Sequence, residues 1–256
     1  MFVSLSKKIL PLSLLLISYS AFAESSKSTV TDATLTGNIG LVSQYIYRGG
    51  VENDDIAMQG GLEYALKSGF AVGYWGSSLD YDSTDATREH GFEHDLYLSY
   101  AQELNQDWAY KVQATSYIYH NGGSIYGEAD DKRTTTAYDV LGQVVYKDLT
   151  LGLSVVLADA SFGNAGDVYM SAAYTYALPQ DFHLNTSIGV SAYNSSHNDS
   201  LIQTKKDFAF SEARVGISKV IPNTGVTASF DYILGGEDRL GEDFDDHFVL
   251  GLNYGF

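Results

Sequence analysis

The sequence predicts an all-β fold: a transmembrane antiparallel up-and-down β-barrel of about 12 strands, preceded by a cleaved signal peptide. Three observations predict it. Segments of ten to fourteen residues alternate apolar and polar side chains, which is the period of a strand and not of a helix. Short connections alternate with long, charged connections along the chain, and the first residues have the pattern of an export signal.

The composition excludes several other classes of protein. The chain has 256 residues, a formal net charge of −17 and no cysteine. Nucleic-acid binding is excluded, because a chain this acidic cannot neutralise a row of phosphates. The absence of cysteine excludes disulfide scaffolds, thiol catalysis and cysteine metal sites. Hydrophobic residues are 45% of the chain and charged residues 18%, which argues against wholesale disorder.

The first element is a predicted secretory signal peptide. Lys7 and Lys8 precede an apolar run over residues 9–17, and Ala21 and Ala23 supply the small residues of a cleavage site. The apolar run is shorter than the roughly 20 residues that a membrane-spanning helix needs. The predicted division of the chain is a signal peptide at 1–23, a periplasmic N-terminal stretch at 24–34 and an outer-membrane barrel at 35–256.

The strands are predicted from clean alternation between two faces. In one of them, Leu151, Leu153 and Val155 point one way and Gly152 and Ser154 the other. Small and polar residues on the second face suit a polar interior inside an apolar exterior. The predicted strands lie near 35–48, 56–66, 69–80, 92–103, 107–120, 134–147, 149–159, 166–177, 181–193, 206–219, 224–234 and 245–256.

The connections between these strands alternate in length. The short ones lie at 66–69, 104–106, 147–148, 178–180 and 221–224. The long ones lie at 49–55, 81–91, 121–133, 159–165, 194–205 and 235–244. This asymmetry is typical of outer-membrane barrels, with turns in the periplasm and loops outside. Aromatic residues near strand ends are expected to form girdles at the two membrane surfaces; they are Tyr45, Tyr47, Phe70, Trp108, Tyr110, Tyr117, Tyr119, Tyr174, Tyr176 and Phe182.

The last predicted strand ends in Phe256. An alternating strand closed by phenylalanine resembles the signal that bacterial barrel-assembly machinery recognises, so that machinery is a predicted partner through Phe256. Outer-membrane lipids and lipopolysaccharide are the other partners expected of a chain in this membrane.

Four motifs between Asn38 and Tyr100 carry a family resemblance. They are SQYIYRG at 43–49, QGGLEY at 59–64, SGFAVGYWGS at 68–77 and EHDLY at 93–97. They resemble elements of the TorF-type porin family of bacterial outer-membrane proteins. The resemblance implies a porin and brings no established substrate. Residues 50–52, GVE, differ from the Ser-Gln that members more often carry, so a different ligand is expected at loop 1.

The candidate functional residues are the ionisable side chains on the predicted interior face. They are Glu63, Glu93, Asp95, Lys111, Asp139, Glu212, Arg214 and Asp231, with Arg48 at the mouth of loop 1 and Trp75 near the constriction or mouth. Rings of carboxylates favour the entry of cations into a channel. The alternative is that pairs such as Glu212 with Arg214 form internal salt bridges that plug a narrow barrel, since 12 strands fall between filled and open barrels.

No cofactor, metal or catalytic site is predicted. Loop acids such as Glu237 and Asp238 do not follow the spacing of a calcium loop, and a solvated anionic mouth explains them. The chain lacks Gly-x-Ser-x-Gly and His-Glu-x-x-His. His94 is predicted on the lipid face near Ser77 or Ser78 without a third group to orient it, so catalysis is not expected.

The sequence therefore predicts a non-enzymatic outer-membrane porin that allows passive passage of small hydrophilic, preferably cationic, solutes. Two alternatives remain open at this point. The barrel could be a non-conducting structural or adhesive protein, or, less favoured, a lipid hydrolase.

Overall fold

The fold is a closed antiparallel barrel of 12 strands. The computed structural model describes residues 33–82, 87–120 and 123–256. The predicted signal peptide lies outside the described residues. The barrel strands are β1 (Ala33–Val42), β4 (Ala57–Leu66), β5 (Phe70–Leu79), β6 (Gly91–Glu103), β7 (Trp108–Tyr119), β10 (Ala137–Tyr146), β11 (Leu149–Val156), β12 (Val168–Ala177), β13 (Phe182–Ala192), β14 (Phe208–Ile221), β15 (Val226–Gly235) and β16 (His247–Gly255).

Four short strands form two hairpins inside long connections. β2 (Tyr45–Tyr47) pairs with β3 (Gly50–Asn53), and β8 (Ser124–Tyr126) pairs with β9 (Lys132–Thr134). Two single 3₁₀ turns lie at Glu128–Asp130 and Ser195–His197. Among the described residues, no helix is long and apolar enough to cross a membrane.

The predicted fold class is confirmed. Each predicted strand segment overlaps one strand of the barrel, and each barrel strand is antiparallel to its neighbours. The largest difference is in the first segment, which was expected to reach Arg48. β1 ends at Val42, and the chain bends at Ser43 and Gln44 before it enters β2.

The two ends of the barrel differ in the length of their connections. Short turns join strands at one end, here named the turn rim: 67–69, 104–107, 147–148, 178–181 and 222–225. Long connections join them at the other end, here named the loop rim: 43–56, 80–90, 120–136, 157–167, 193–207 and 236–246. The asymmetry expected from the sequence is therefore present.

The outer surface of the wall is apolar because alternate residues of each strand point outward. In β11, Leu151 and Leu153 are 49% and 46% exposed, whereas Ser154 is 2% exposed. The same pattern leaves these large aliphatic side chains exposed on other strands: Leu35, Ile39, Leu41, Leu62, Val72, Leu96, Leu98, Val112, Val144, Ile188, Val215, Ile217, Leu234, Leu250 and Leu252. An apolar band of this kind suits a surface that faces lipid.

The aromatic girdles follow the sequence only in part. Phe70, Trp108, Tyr174 and Tyr176 are exposed on the outside near the turn rim, as expected. Tyr45, Tyr117 and Tyr119 were expected in a girdle too, but they are buried inside the barrel. Tyr117 and Tyr119 point inward because they share a face of β7 with Lys111 and Thr115. Tyr45 points inward because β2 runs inside the barrel.

The barrel closes where β1 meets β16. Five residue pairs join these strands, from Asn38 opposite Gly255 to Val42 opposite Gly251, whereas ten pairs join β1 to β4. Phe256 adds two backbone hydrogen bonds to Gly37, of 2.9 and 2.8 Å. The seam is thus shorter than the neighbouring pairing and is extended by one residue beyond the last strand.

Candidate functional site

The candidate site is the lumen, and the ionisable residues predicted to face it do face it. Glu93, Asp95, Lys111, Asp139, Glu212 and Asp231 are each at most 8% exposed, and Glu63 and Arg214 are partly buried. Successive side chains of a strand point to opposite faces, so these residues point inward while the residues before and after them in the strand point outward or are small. Their part in the passage of solutes remains a prediction.

A hairpin from the first long connection occupies part of the lumen. We name residues 43–55, which include β2 and β3, the inner hairpin. Arg48 and Gly49 form its two-residue tip with φ of 52° and 91°, and Tyr47 pairs with Gly50 on either side of them. Positive φ at both central residues is typical of a tight hairpin turn. A side chain at Gly49 would lie 2.5 Å from the Ser211 carbonyl oxygen, so the tip approaches the wall closely.

Arg48 holds the tip of the inner hairpin to the wall. Its Nη2 atom lies 3.2 Å from Asp139 Oδ2 and donates a hydrogen bond of 3.0 Å to Ser154 Oγ. Its guanidinium lies over the rings of Tyr47 and Tyr169, 4.8 and 4.7 Å from their centroids. Arg48 was expected at the mouth of loop 1; it lies deeper, inside the lumen, because the chain turns inward after β1.

Asp139 is the acceptor on which this contact depends. Besides Arg48, it accepts hydrogen bonds at the same oxygen from Ser154 (2.5 Å) and from the Tyr117 hydroxyl (3.1 Å). Tyr47 in turn donates to the Tyr117 hydroxyl at 3.3 Å. The hairpin is therefore joined to β7, β10 and β11 by one connected network.

A second ion pair continues the network along the wall. Tyr169, whose ring lies beneath Arg48, donates a hydrogen bond of 3.0 Å to Glu212, and Arg214 lies 3.5 Å from the other oxygen of Glu212. Tyr169 crosses its neighbouring strand at Gly189, where a Cβ atom would meet the hydroxyl at 1.9 Å. The pairing of Glu212 with Arg214, which belonged to the alternative of a plugged barrel, is present.

Nearer the turn rim, Glu63 belongs to a separate cluster. It accepts a hydrogen bond of 3.1 Å from the Tyr97 hydroxyl, and Lys111 Nζ lies 5.8 Å from the centre of the Tyr97 ring. Tyr97 lies across Gly73, the residue opposite it on β5. Lys111 is 2% exposed, so this basic group is buried among the strands that line the lumen.

Aromatic side chains line the lumen beside the carboxylates of β6. Asp95 stands opposite Trp75 on β5 and Tyr117 on β7, and Glu93 stands opposite Tyr119. Trp75 is 6% exposed and meets Tyr45 of the inner hairpin edge-on, with 5.6 Å between ring centroids. Trp75 therefore faces inward, on the side where a constriction residue was expected.

The inner hairpin is also attached to the second long connection. The Tyr81 hydroxyl donates a hydrogen bond of 2.6 Å to Glu52, and the backbone N–H of Asp54 donates one of 2.8 Å to Asp80. Burial raises the pKa of Glu52, and the nearby charge of Asp80 acts in the same direction, against the hydrogen bond from Tyr81. Glu52 thus holds its proton more readily than an exposed glutamate.

The remaining long connections are joined above the lumen into what we name the loop layer, residues 123–136, 157–167, 193–207 and 236–246. Arg133 is buried and donates to Asp199 at 2.5 Å, to the carbonyl oxygens of Ala160 and Gly163 at 3.1 and 2.9 Å, and to the His197 carbonyl oxygen at 2.7 Å. Contacts from a single side chain to two other loops restrict their movement.

Arg239 does the same for the last long connection. It pairs with Asp167, donates to the Thr204 hydroxyl at 3.2 Å and lies 4.9 Å over the ring of Tyr193. Two buried or partly buried arginines therefore hold four connections together at the loop rim.

Between the inner hairpin and the opposite wall lies a cavity of about 110 Å³. Gln59, Gln113, Ser171, Ser187 and Ser229 supply neutral polar groups to its lining, and Ile46, Ile233 and Val249 supply an apolar patch.

Neither metal binding nor hydrolysis gains support from this geometry. In the part of the chain that the structure describes, no group of three or more His, Asp or Glu side chains could hold a metal ion. His94, which was considered beside a strand serine, has the Tyr74 hydroxyl 2.9 Å from its Nδ1 atom. That contact occupies one of the two ring nitrogens of His94.

Several participants were missed by sequence reasoning. Tyr117 shares the interior face of β7 with Lys111, so strand parity alone would have found it. Tyr169 shares a face with Ser171 on β12 and could have been found in the same way. Tyr47 could not, because nothing local distinguishes a strand inside the barrel from a strand of its wall.

Comparison with solved structures identifies the architecture. The KdgM porin matches with a TM-score of 0.51 at 9% sequence identity, over 86% of this chain and 99% of that one. A membrane protein from a study of in-meso crystallization matches with a TM-score of 0.50 at 10% identity, over 87% and 83% of the two chains. Outer membrane phospholipase A from Escherichia coli gives 0.43 at 12% identity over 85% and 88%, a likeness too small to carry an inference about activity.

The fold is thus a closed barrel of the kind that the KdgM porin has, around a lumen lined with polar side chains. The chain belongs to the Gcw_chp family, described as bacterial protein of unknown function, whose profile matches residues 26–241. No curated protein matches the sequence. The resemblance to the TorF-type porin family is not established by these comparisons and stays a resemblance.

Proposed function

We propose that this protein is an outer-membrane porin that lets small hydrophilic solutes, preferably cations, pass through a lumen narrowed by the inner hairpin. The observation that carries the proposal is a cavity of about 110 Å³ that remains beside the inner hairpin, inside a wall whose outside is aliphatic. Carboxyl, guanidinium, amide and hydroxyl groups are among those that line it.

The preference for cations is inferred from the charges in the lumen. Six carboxylates, those of Glu63, Glu93, Asp95, Asp139, Glu212 and Asp231, share it with the basic side chains of Arg48, Lys111 and Arg214. Asp139 and Glu212 are each paired with an arginine, and acidic groups are in excess over basic groups in the lumen as a whole. At physiological ionic strength the screening length is about 8 Å, comparable to the scale of a narrow pore, so an ion inside would feel this excess.

The outer membrane is the proposed location, with its lipids and lipopolysaccharide against the apolar band. Export through the periplasm and recognition of Phe256 by barrel-assembly machinery are part of the same proposal. The KdgM structure, named a porin, is the neighbour that favours it.

Conductance of the folded protein in a planar bilayer tests the proposal. We expect single-channel steps and, under a salt gradient, a reversal potential biased toward cations. The double variant Glu63→Gln/Asp95→Asn should move that potential toward neutrality. Asp55→Asn/Glu89→Gln, which removes the same charge from exposed loop residues, is the matched control and should move it less.

The results that would overturn the proposal are separate for its two parts. Absence of conductance steps from correctly folded protein would reject the channel. A wild-type reversal potential biased toward anions would reject the cation preference and leave the channel standing.

A non-conducting structural barrel is the second candidate. The observation that favours it is the inner hairpin itself, which occupies part of the lumen below a loop layer held by Arg133 and Arg239. If the wild type is silent and a variant with a released hairpin conducts, the native protein is a closed barrel rather than an open porin.

A further inference from the structure

The strongest unexplained feature is a buried carboxylate with no hydrogen bond. Asp95 is 0% exposed, and neither of its oxygens has a partner among the described residues. One oxygen of Glu93, which is 3% exposed, and the indole N–H of Trp75 also have no hydrogen-bond partner among the described residues. Buried polar groups are nearly always satisfied, so three adjacent exceptions call for an explanation.

These groups lie close together, on neighbouring strands. Asp95 and Glu93 are two residues apart on the same face of β6, and Trp75 stands directly opposite Asp95 on β5. Directly opposed residues of an antiparallel pair have Cβ atoms about 4.5–5.5 Å apart. The two acceptors and the donor therefore share one corner of the lumen.

The surroundings of this corner are aromatic. Tyr117 stands opposite Asp95 on the other neighbouring strand, and Tyr119 stands opposite Glu93. Tyr45 of the inner hairpin packs edge-on against Trp75, and all four rings belong to one buried cluster. Trp75, Tyr45 and Tyr117 also border the lumen cavity, so the corner adjoins the cavity through these rings.

The basic side chains of the lumen are engaged elsewhere. Arg48 contacts Asp139 and Ser154, Arg214 lies on Glu212, and Lys111 lies toward Tyr97. The charged groups that act electrostatically on Asp95 are the acids Glu93, Asp139 and Glu52. The corner is thus acidic and aromatic, and its unpartnered carboxyl oxygens lack a donor.

We propose that Asp95 and Glu93, with the rings of Trp75, Tyr45 and Tyr117, form a subsite for a small organic cation that carries a protonated primary amine. The ammonium N–H groups would donate to the unpartnered carboxylate oxygens, and the ring faces would attract its charge. The indole N–H of Trp75 is then available to a hydroxyl or carboxylate oxygen of the same molecule. The proposal rests on the proposed function, because the amine enters from water through the lumen.

A metal ion is the less suitable occupant. Hard cations require a shell of several oxygen ligands, and no group of three or more suitable side chains is present in the described residues. Aromatic walls supply no such ligands but do favour an organic ammonium group.

Fluorescence of Trp75 provides a binding assay that does not depend on conductance. The chain has two tryptophans, so a Trp108→Phe protein folded in detergent leaves Trp75 as the reporter. We expect saturable change on titration with n-propylammonium and none with n-propanol, which has the same chain without the charge. Asp95→Asn in that background should weaken binding at least tenfold, and Asp55→Asn, an exposed control, should leave it unchanged.

A second variant keeps the test independent of any folding defect at Asp95. Glu93→Gln should also weaken binding of n-propylammonium, by less than Asp95→Asn, and heat-modifiable migration on a gel checks that each variant is folded. A wild-type response equal for the amine and the alcohol, or one that Asp95→Asn and Glu93→Gln both retain, would overturn the subsite. No response at all would do the same.

Failure of the subsite and failure of the channel are distinguishable. Cation-biased conductance without amine binding leaves the porin in place and removes the subsite. Amine binding without conductance supports the subsite and rejects passage through the barrel.

Discussion

Replacing Arg48 with alanine is expected to release the inner hairpin from the barrel wall and raise conductance. Arg48 is the tip residue, and its guanidinium makes the contacts to Asp139, Ser154 and the Tyr169 ring. Alanine removes all of these contacts. The backbone at the tip is left-handed, which is unfavourable for alanine as it is for arginine, so this strain does not change. Glycine would relieve the strain and thereby offset part of the destabilisation.

The size of the effect follows from the interactions that the guanidinium makes. A hydrogen bond to a charged group contributes about 1.5–3 kcal/mol, and each cation–π contact adds about 0.5–1 kcal/mol. The Arg48 side chain is 24% exposed and that of Asp139 4%, so solvent screens part of the ion pair. A net destabilisation of about 3 kcal/mol raises the released fraction of hairpins roughly a hundredfold, since each 1.4 kcal/mol is a factor of ten.

Single-channel recording measures the released fraction as time spent at higher conductance. Asp139→Asn is the decisive companion, because it breaks the same contact with the opposite change of charge. Release of the hairpin predicts higher conductance in both variants. Lys206→Ala, which removes an exposed lysine paired with Glu237 at the loop rim, is the control for the loss of one positive charge.

Two outcomes would refute this reasoning. If Arg48→Ala and Asp139→Asn shift conductance in opposite directions, charge and not hairpin release governs the pore. If Arg48→Ala behaves like Lys206→Ala, the contact with Asp139 does not hold the hairpin. The double variant should differ from the sum of the two single changes, because the two residues share one contact.

Two further predictions concern the loop layer. Arg133→Met removes four donated hydrogen bonds at similar side-chain size and should make the loops sensitive to chymotrypsin in detergent. Lys132→Met, on the exposed neighbour, is the control and should not. Equal resistance of the two variants would show that Arg133 is dispensable. Although partial burial acts against it, hydrogen bonds from the Ile202 N–H and from Arg133 hold the pKa of Asp199 below its ordinary value. A lowered carboxyl pKa stabilises the folded loop above the ordinary value near 4, and this stabilisation is lost as pH falls through the lowered pKa. Pepsin cleavage of the folded protein, measured at each pH relative to cleavage of the denatured protein, should therefore rise below about pH 4 in the wild type and change less in Asp199→Asn. A wild type equally resistant throughout would contradict this.

Most of the barrel wall could be predicted because each strand carries its own evidence. Alternation of large aliphatic and small polar residues decides which way every side chain points, as Leu153 and Ser154 show. The same rule placed Asp95 and Lys111 inside. Applied to β7 as a whole, it would also have moved Tyr117 from the girdle to the lumen.

The inner hairpin could not be predicted because its sequence does look like a strand. Tyr45, Ile46 and Tyr47 form β2, as their composition favours, but their partner is β3 and not the wall. The decisive contact joins Arg48 to Asp139, 91 residues away in the sequence. Local periodicity holds no information about pairing at that distance. Likewise, the absence of partners for Asp95 becomes visible only when its neighbours are in place.

The short seam between β1 and β16 has a consequence for the order of assembly. A side-chain hydrogen bond across this seam joins Asn38 to Asn253, 215 residues apart. Every other pair of neighbouring strands in the wall consists of two wall strands that follow one another in the chain. Closing the longest loop costs the most entropy and is repaid by only five residue pairs and Phe256. We therefore expect the curved sheet to form first as an open ribbon and its two edges to meet last.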